Sequence, residues 1–209
     1  MPTAARPLRR DAERNRQHLL STARSLIARQ GLDVTHDEIA RVAGMGKGTV
    51  YRRFPDKQTL VDALFNDHID AVVALAETAR DDPDPWQGIE TFMQANLELQ
   101  AQDRGLRELL RGAQQGSSLV RQARERITPI VDELISQAQA SEQLARHIGP
   151  GDFVLVELMV TGVMDATQSF DSDLWRRALA VGLAGLRSGS PLPGEPLDAD
   201  QIDRVHGAG

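Results

Sequence analysis

The densest group of side-chain hydrogen-bond donors in the chain falls on one short predicted helix, from about Lys47 to Phe54. Val50 and Phe54 stand four residues apart, so both can pack inward from one side of that helix. The other side carries Lys47, Thr49, Tyr51, Arg52 and Arg53. Gly48 leaves bare backbone near the helix start, where free amides can approach a phosphate closely. These residue types in this pattern are suited to binding an anion, and DNA is the first hypothesis for that anion.

The residues before this helix predict the elements that position it. Thr35 and Glu38 have the spacing of a capping box, in which hydroxyl and carboxylate each satisfy an amide that the first helical turn leaves free. A helix is therefore expected to begin at His36, and Gly44 supplies the left-handed residue that ends it. A helix, a turn of about three residues and a second helix form a helix-turn-helix, whose second helix enters the major groove of DNA.

The donors divide between two kinds of DNA contact. Tyr51, Lys57 and the amides near Lys47 and Gly48 are suited to phosphates, whereas Lys47, Thr49, Arg52 and Arg53 are candidates for base edges. Which arginine reads a base stays open, as does the alternative that all are ordinary solvated charges around a helical corner. The predicted DNA-binding set is Thr35, Lys47, Gly48, Thr49, Tyr51, Arg52, Arg53 and Lys57.

Residues 10 to 65 resemble the DNA-binding domain of the TetR family of transcriptional regulators. The resemblance is carried by Gly31, Thr35, Ile39-Ala40, Ala43-Gly44 and the string Gly48-Thr49-Val50-Tyr51-Arg52-Arg53-Phe54, followed by Lys57 and Leu60. The Arg-Arg-Phe-Pro ending and the Val-Asp-Ala-Leu-Phe after it resemble a branch common in high-GC actinobacteria. Gly46 stands where many members have a serine, so the cap or phosphate contact of that hydroxyl is in doubt.

The charge distribution favours the same partner, although the net charge of −6 alone would argue against it. Through Leu60 the chain has 12 Lys and Arg against 6 Asp and Glu, whereas the remainder has 12 against 24. A basic module on an acidic body would attract a DNA duplex with one face and repel it with the other. The alternative is an accidental asymmetry.

Composition and motifs exclude several other classes of protein. The absence of cysteine excludes a disulfide framework and a thiolate metal site. His18, His36, His68, His147 and His206 do not have metal-ligand spacing, and neither a phosphate loop after a strand nor a nucleophile elbow occurs. We expect no enzyme, no metal and no cofactor. Without a signal peptide or an apolar run of about 18 residues, we expect a soluble cytoplasmic protein with no membrane partner.

Helical periodicity and breaks predict an all-α fold of about nine helices, with an N-terminal three-helix DNA-binding domain and a C-terminal helical domain for ligand binding and dimerisation. The expected domains are a flexible basic arm at 1–9, the helix-turn-helix domain at 10–56, the ligand-binding and dimerisation domain at 57–188 and a disordered tail at 189–209. Helices are expected near 11–30, 36–43, 47–54, 57–80, 86–101, 104–112, 118–141, 152–168 and 172–188.

Two of these helices favour a homodimer. The helix at 152–168 is apolar almost all round, and the next helix has an apolar stripe that includes small residues, so a body of this size cannot cover both. An isologous four-helix interface would cover them, and the family resemblance implies the same dimer. The alternative is the core of a monomer. The predicted interface residues are Trp175, Leu179, Gly182, Leu183 and Leu186.

The resemblance further implies a small-molecule pocket in the body, whose occupancy changes the separation of two DNA-reading heads. Recognition helices matched to successive major grooves lie roughly 34–36 Å apart. Buried polar groups need partners, so Asn96, Gln100 and Glu157 are either ligand contacts or structural residues that the protein itself satisfies. The candidate pocket residues are these three with Phe92, Met93 and Met159, and also Leu99 and Met164. The apolar candidates are more often core residues than ligand contacts.

The predicted function is a homodimeric repressor, less often an activator, that binds a palindromic DNA operator and is released by an unknown small-molecule effector. The alternatives are a helical protein-interaction module and a ligand-independent DNA-organising protein.

Overall fold

The computed structural model describes residues 5–102, 118–187 and 190–207, and within these ranges every regular element is helical. A 3-10 turn at Gly31–Asp33 follows the first helix. The predicted all-α fold is confirmed, whereas the helix expected at 104–112 lies outside the described residues. The α-helices are α1 Ala5–Gln30, α2 His36–Ala43, α3 Lys47–Arg53, α4 Lys57–Arg80, α5 Pro85–Gln102, α6 Ser118–Ala140, α7 Pro150–Thr167, α8 Leu174–Arg187 and α9 Ala199–Gly207.

The chain divides into two compact units, and the first of them ends at His68 within α4. Its core is a single apolar cluster from α1, α2, α3 and the beginning of α4. Leu20, Ile39 and Val50 are wholly buried there, one from each of the first three helices. A single core shared by these helices gives a compact support for the exposed side of α3.

The second unit begins at Ile69 and has its own core, to which α4, α5, α6, α7 and α8 contribute. Trp86, Leu97 and Trp175 are among its most buried side chains. A Cβ added to Gly182 would lie 2.8 Å from Cγ1 of Val156, so the glycine permits α8 to approach α7 closely. None of the described helices is both long enough and apolar enough to cross a membrane.

Helices extend further towards both ends of the described chain than the composition predicts. Helix α1 begins at Ala5 instead of near residue 11, so residues 5–9 of the segment expected to be a flexible arm are helical. Alanine, leucine and arginine are strong helix formers, and a proline is tolerated in a first turn. The domain boundary predicted after residue 56 also differs from the division between the two units. That division lies after His68, within α4.

The segment 189–209, expected to be a disordered tail, contains helix α9 within its described part. Asp198 and Gln201 form a reciprocal cap at the start of α9, with Gln201 N donating to Asp198 Oδ1 at 2.8 Å and Asp198 N donating to Gln201 Oε1 at 2.9 Å. The segment before α9 also packs against α7, since a Cβ on Gly151 would lie 2.3 Å from the carbonyl oxygen of Leu197. Local capping and close packing order this segment despite its polar composition.

Candidate nucleic-acid interface

The start of α2 is set by the predicted capping box. The Glu38 amide donates to Thr35 Oγ1 at 3.2 Å, and the Thr35 amide donates to Glu38 Oε2 at 3.0 Å. The two hydrogen bonds that Thr35 donates to the Glu38 carboxylate, one from its amide and one from its hydroxyl, lower the pKa of that carboxyl because they stabilise its charged form. The Thr35 hydroxyl also donates to Glu38 at 2.9 Å, so it is engaged within the cap. Its role in this arrangement is to fix the beginning of α2.

The turn between α2 and α3 follows the predicted chemistry. Gly44 has φ of 66°, in the left-handed region where a side chain would be strained. The Met45 amide donates to the Ala40 carbonyl at 2.9 Å and closes the end of α2. Gly46 caps α3 without a side-chain hydrogen bond, as its replacement of the usual serine predicted.

Two buried side chains fix the orientation of α3. Val50 is wholly buried and Phe54 is 2% exposed, and both belong to the core of the first unit. The spacing of four residues places them on one side of the helix, as predicted. The opposite side therefore faces outward whatever the rotamers of its long side chains.

The outward side of α3 carries the predicted donors. Lys47, Arg52 and Arg53 are exposed, Tyr51 is 47% exposed, and Thr49 is half-buried. A Cβ added to Gly48 would meet nothing within 4 Å, so the protein's own packing does not require a glycine there. The α3 face, meaning Lys47, Gly48, Thr49, Tyr51, Arg52 and Arg53, thus combines cations, hydroxyls and open backbone.

Acidic side chains lie beside two of the three cations of the α3 face. The ammonium of Lys47 pairs with Asp37 of α2, and the hydrogen bond and charge of Asp37 raise the pKa of Lys47. Arg53 Nη2 lies 4.0 Å from Glu13 Oε2. Arg52 has no ion-pair partner within the described parts of the chain. The three cations are therefore not equivalent, and Arg52 is the least constrained of them.

Lys57 is brought to the same motif as the first residue of α4. It is exposed, and Asp56 before it caps the helix by accepting from the Thr59 amide at 2.7 Å. The Thr59 hydrogen bonds are the main cause of the lowered pKa of Asp56. The cap predicted for Asp56 is confirmed, and it fixes the backbone that carries Lys57.

Sequence reasoning missed three residues of this region. His36 stacks on Tyr51, with ring centroids 5.1 Å apart and ring planes at 18°. Asp37 and Glu13 are the acidic neighbours of Lys47 and Arg53. No periodic pattern connects residues so far apart in the chain, although Asp37 and Lys47 each occupy the first turn of a helix that was predicted.

The residues predicted for a ligand pocket do not all lie together. Phe92, Met93, Asn96 and Gln100 are buried on α5, and Gln100 Nε2 donates to Glu157 Oε1 of α7 at 2.6 Å. The polar pair thus satisfies the need for partners that its sequence positions implied. Met159 is 51% exposed on α7, because Val156 and Val160 take the buried side of the helix there, so the structure does not bring it together with the buried residues of α5.

The residues predicted for a dimer interface lie inside their own unit. Trp175, Leu179, Leu183 and Leu186 are buried in the core of their own chain, and Gly182 serves the internal contact of α8 with α7. Side chains already covered by their own unit are not available to a partner. The apolar surface left open lies elsewhere on these helices, at Leu155, Leu158 and Met159 of α7 and Val181 of α8, and we call this set the α7–α8 face.

Family models match both parts of the chain. Residues 19–64 match the model for bacterial regulatory proteins of the tetR family, and residues 84–188 match the model for the C-terminal domain of SbtR-like transcriptional regulators. Together these segments cover both units, including the α3 face and the α7–α8 face. The matched models describe transcriptional regulators, in agreement with the prediction that the chain is not an enzyme.

Individual relatives agree with these matches. An HTH-type transcriptional regulator of Staphylococcus aureus strain USA300 is 32% identical over 76 residues, and the match spans 36% of this chain and 41% of that relative. The crystal structure of a TetR transcription regulatory protein from Mycobacterium vanbaalenii is 32% identical, with a TM-score of 0.64 over 87% of this chain and 99% of that one.

A more distant structure shares the fold. FadR from Bacillus subtilis, in complex with stearoyl-CoA, is 20% identical with a TM-score of 0.61, over 84% of this chain and 99% of that one. At this identity the likeness concerns the fold alone.

Proposed function

This chain belongs to the TetR family of DNA-binding transcriptional regulators, and we propose that it is a repressor that binds a palindromic operator as a homodimer and leaves it when a small effector binds. The observation that carries the proposal is the α3 face, a set of cations and hydroxyls held outward by the burial of Val50 and Phe54. Such a regulator acts on DNA in the cytoplasm, where we place it.

We assign the contacts by side-chain chemistry. Tyr51, Lys57 and the open backbone at Gly48 are suited to phosphates, which position a protein on the duplex without reading its sequence. Lys47, Thr49, Arg52 and Arg53 are suited to base edges, and an arginine can pair with both acceptors of guanine. Thr35 contributes indirectly, because its side chain is engaged in the cap of α2.

The homodimer is supported by the α7–α8 face. Leu158 is 40% exposed on α7 and Val181 is 67% exposed on α8, and exposed large apolar side chains favour association. A second copy of the chain offers the same surface, and a two-fold interface is the commonest solution for soluble proteins. The two-fold axis would present two α3 helices to two half-sites.

The effector is expected to bind in the second unit, among α5 and the helices packed on it. The half-buried hydrogen bond between Gln100 and Glu157 offers a polar anchor in an otherwise apolar region beside Phe92 and Met93. In the related fold of FadR from Bacillus subtilis, stearoyl-CoA is bound. An effector that prefers a conformation poorly matched to the operator must weaken DNA binding by linkage.

Selection of bound fragments from a pool of random duplex DNA tests the proposed function. We expect enrichment of inverted repeats whose half-site centres lie about one helical turn apart, or a multiple of it. Binding of an enriched fragment should weaken steeply as salt rises, because phosphate contacts release counterions. Enrichment of nothing, or binding that is insensitive to salt, would contradict the proposal and favour a protein-interaction module.

A further inference from the structure

The stacked pair of His36 and Tyr51 joins the two helices of the DNA-binding motif. His36 is the first residue of α2, and Tyr51 lies on the outward side of α3. Their ring centroids are 5.1 Å apart and the ring planes are nearly parallel at 18°. This geometry lies within the range in which offset aromatic rings attract each other beyond simple burial.

The histidine of this pair is held more firmly than the tyrosine. His36 is half-buried at the helix start that the Thr35 and Glu38 cap fixes, whereas Tyr51 is 47% exposed. The Nε2 atom of His36 is buried and has no hydrogen-bond partner among the described residues. The contact that accounts for the position of the imidazole is therefore its stack on Tyr51, and the ring acts as a fixed surface for a more exposed side chain.

An exposed side chain on a helix loses freedom when it binds a partner. Immobilising such a side chain costs free energy, and holding it beforehand in the bound orientation reduces that cost. A tyrosine hydroxyl sits at the end of a rigid ring, so the orientation of the ring determines where the hydroxyl reaches. A flat neighbour that stacks on one side of the ring restricts that orientation directly.

We propose that His36 is a positioning residue, which holds the Tyr51 ring by stacking in the orientation from which the tyrosine hydroxyl contacts DNA. This inference rests on the proposed function, in which Tyr51 contacts a phosphate. Histidine enters through the flat shape of its ring and not through a DNA contact of its own. A flat apolar ring at position 36 should therefore serve as well.

The test uses the full-length protein and the most enriched duplex from the random-pool selection. Affinity is measured for the parent, His36→Ala, His36→Gln, His36→Phe, Tyr51→Phe and the double variant His36→Ala with Tyr51→Phe. Val42→Ala is the control, since it truncates another side chain of α2, one that is 45% exposed. Thermal unfolding of every variant separates lost binding from lost folding.

We expect Tyr51→Phe to weaken binding about tenfold, as for loss of a hydrogen bond to a charged group. His36→Ala and His36→Gln should weaken it roughly three- to tenfold, while His36→Phe and Val42→Ala stay within about twofold of the parent. In the Tyr51→Phe background, His36→Ala should have no further effect, because no hydroxyl remains to be positioned.

Tyr51 is the chain's single tyrosine, which gives a readout that does not depend on DNA. Protein labelled with 3-fluorotyrosine should give one fluorine resonance, and His36→Ala and His36→Gln should shift it while His36→Phe keeps it displaced by ring stacking. Parent-like resonances in the Ala and Gln variants would overturn the stack even if a variant bound DNA poorly for reasons of stability.

The affinities distinguish failure of this inference from failure of the proposed contact. If Tyr51→Phe binds like the parent, the proposed contact of Tyr51 with DNA is wrong. If Tyr51→Phe is impaired but His36→Ala is not, the positioning role alone is wrong. A loss on His36→Ala that persists in the Tyr51→Phe background, or one that His36→Phe does not restore, would likewise overturn it.

Discussion

The α3 face and the α7–α8 face are both left uncovered by the chain's own cores, but they differ in chemistry. The first consists of cations, hydroxyls and open backbone around Tyr51 and Arg52. The second consists of leucine, methionine and valine side chains such as Leu158 and Val181. One face is suited to an anionic partner and the other to an apolar one.

Because the two faces differ in chemistry, binding through each of them should respond differently to salt. Contacts with phosphates weaken as salt rises, because the release of counterions from the DNA into a more concentrated salt solution gains less free energy. Association through apolar surface depends on area removed from water and responds little to salt. The proposed division predicts DNA binding that weakens with salt and self-association that does not. Substitutions on the α3 face should remove only the first, and substitutions on the α7–α8 face should act through the second.

The largest expected effect comes from placing a charge in the apolar face. Leu158→Glu should dissociate the dimer, since an unpaired carboxylate is costly in an apolar interface. Losing the linkage between two half-sites should lower operator affinity about 100-fold or more. Sedimentation gives the mass, and a DNA titration gives the affinity.

Ser136→Glu is the matched control, because it adds the same charge to an exposed position of α6. It should leave mass and affinity unchanged. A Leu158→Glu protein that remained dimeric would move the self-association surface away from α7.

The first unit, which carries the α3 face, is expected to lose stability in acid. Burial lowers the pKa of His68 to about 4, with the charge of Arg24 acting in the same direction. The unfolded chain, with an ordinary histidine pKa of 6.5, binds the proton more readily between these values. His68 therefore does not change the free energy of unfolding above about pH 6.5. As the pH falls from there to about 4, its titration lowers the free energy of unfolding by about 3 kcal/mol.

Urea unfolding between pH 7 and pH 4.5 measures this loss. His68→Gln should flatten the dependence in that window, while carboxylates with lowered pKa values, such as Asp56 and Asp84, act mainly below it. An equal slope in the parent and in His68→Gln would assign the acid sensitivity to other groups.

The two arginines at the end of α3 give the next effect. Arg52→Ala should cost about 1–3 kcal/mol of binding and relax the preference at one base pair if Arg52 reads a base edge. Arg53, which lies 4.0 Å from Glu13, is tested in the same way: Arg53→Ala should relax the preference at another base pair if Arg53 reads a base edge, and should weaken binding to all sequences alike if it contacts a phosphate. Affinity for the enriched duplex and for each single-base variant of it separates the two. Parent-like binding by both variants would remove the α3 face from DNA contact.

The smallest expected effect is a gain. Asp37→Asn should strengthen DNA binding roughly two- to fivefold, because it removes a negative charge beside the α3 face and releases Lys47 from its ion pair. Titrations at two salt concentrations should show the gain shrinking as salt rises. A loss of binding would instead indicate that Asp37 itself contacts the DNA.

Features determined by neighbours in the sequence were predicted well. The Thr35 and Glu38 cap, the left-handed Gly44 and the inward pair of Val50 and Phe54 each depend on residues within four positions of one another. The same kind of pattern at Asp198 and Gln201 was available, but the glycine- and proline-rich composition around it favoured disorder. Local hydrogen bonds prevailed over composition at that site.

Features that depend on distant residues were not predictable in the same way. An apolar helix such as α7 does not reveal which side its neighbours cover. Met159, predicted for a ligand pocket, is 51% exposed, whereas Trp175 of α8, predicted for a dimer interface, is buried in the core of its own chain. The contacts of His36 with Tyr51 and of Asp37 with Lys47 connect different helices whose relative placement no periodicity specifies. Tertiary packing determined these positions.

Gly48 of α3 affects both the stability of the protein and the proposed approach of a phosphate. Its missing side chain relieves no crowding within the protein, and glycine is a poorer helix former than alanine, by about 1 kcal/mol in a helix interior and by less in a first turn, where Gly48 lies. Gly48→Ala should therefore raise the melting temperature while hindering close approach of a phosphate. Selection for thermostability alone should favour this substitution, whereas selection for the proposed DNA binding should reject it. Stability and function therefore favour different residues at position 48.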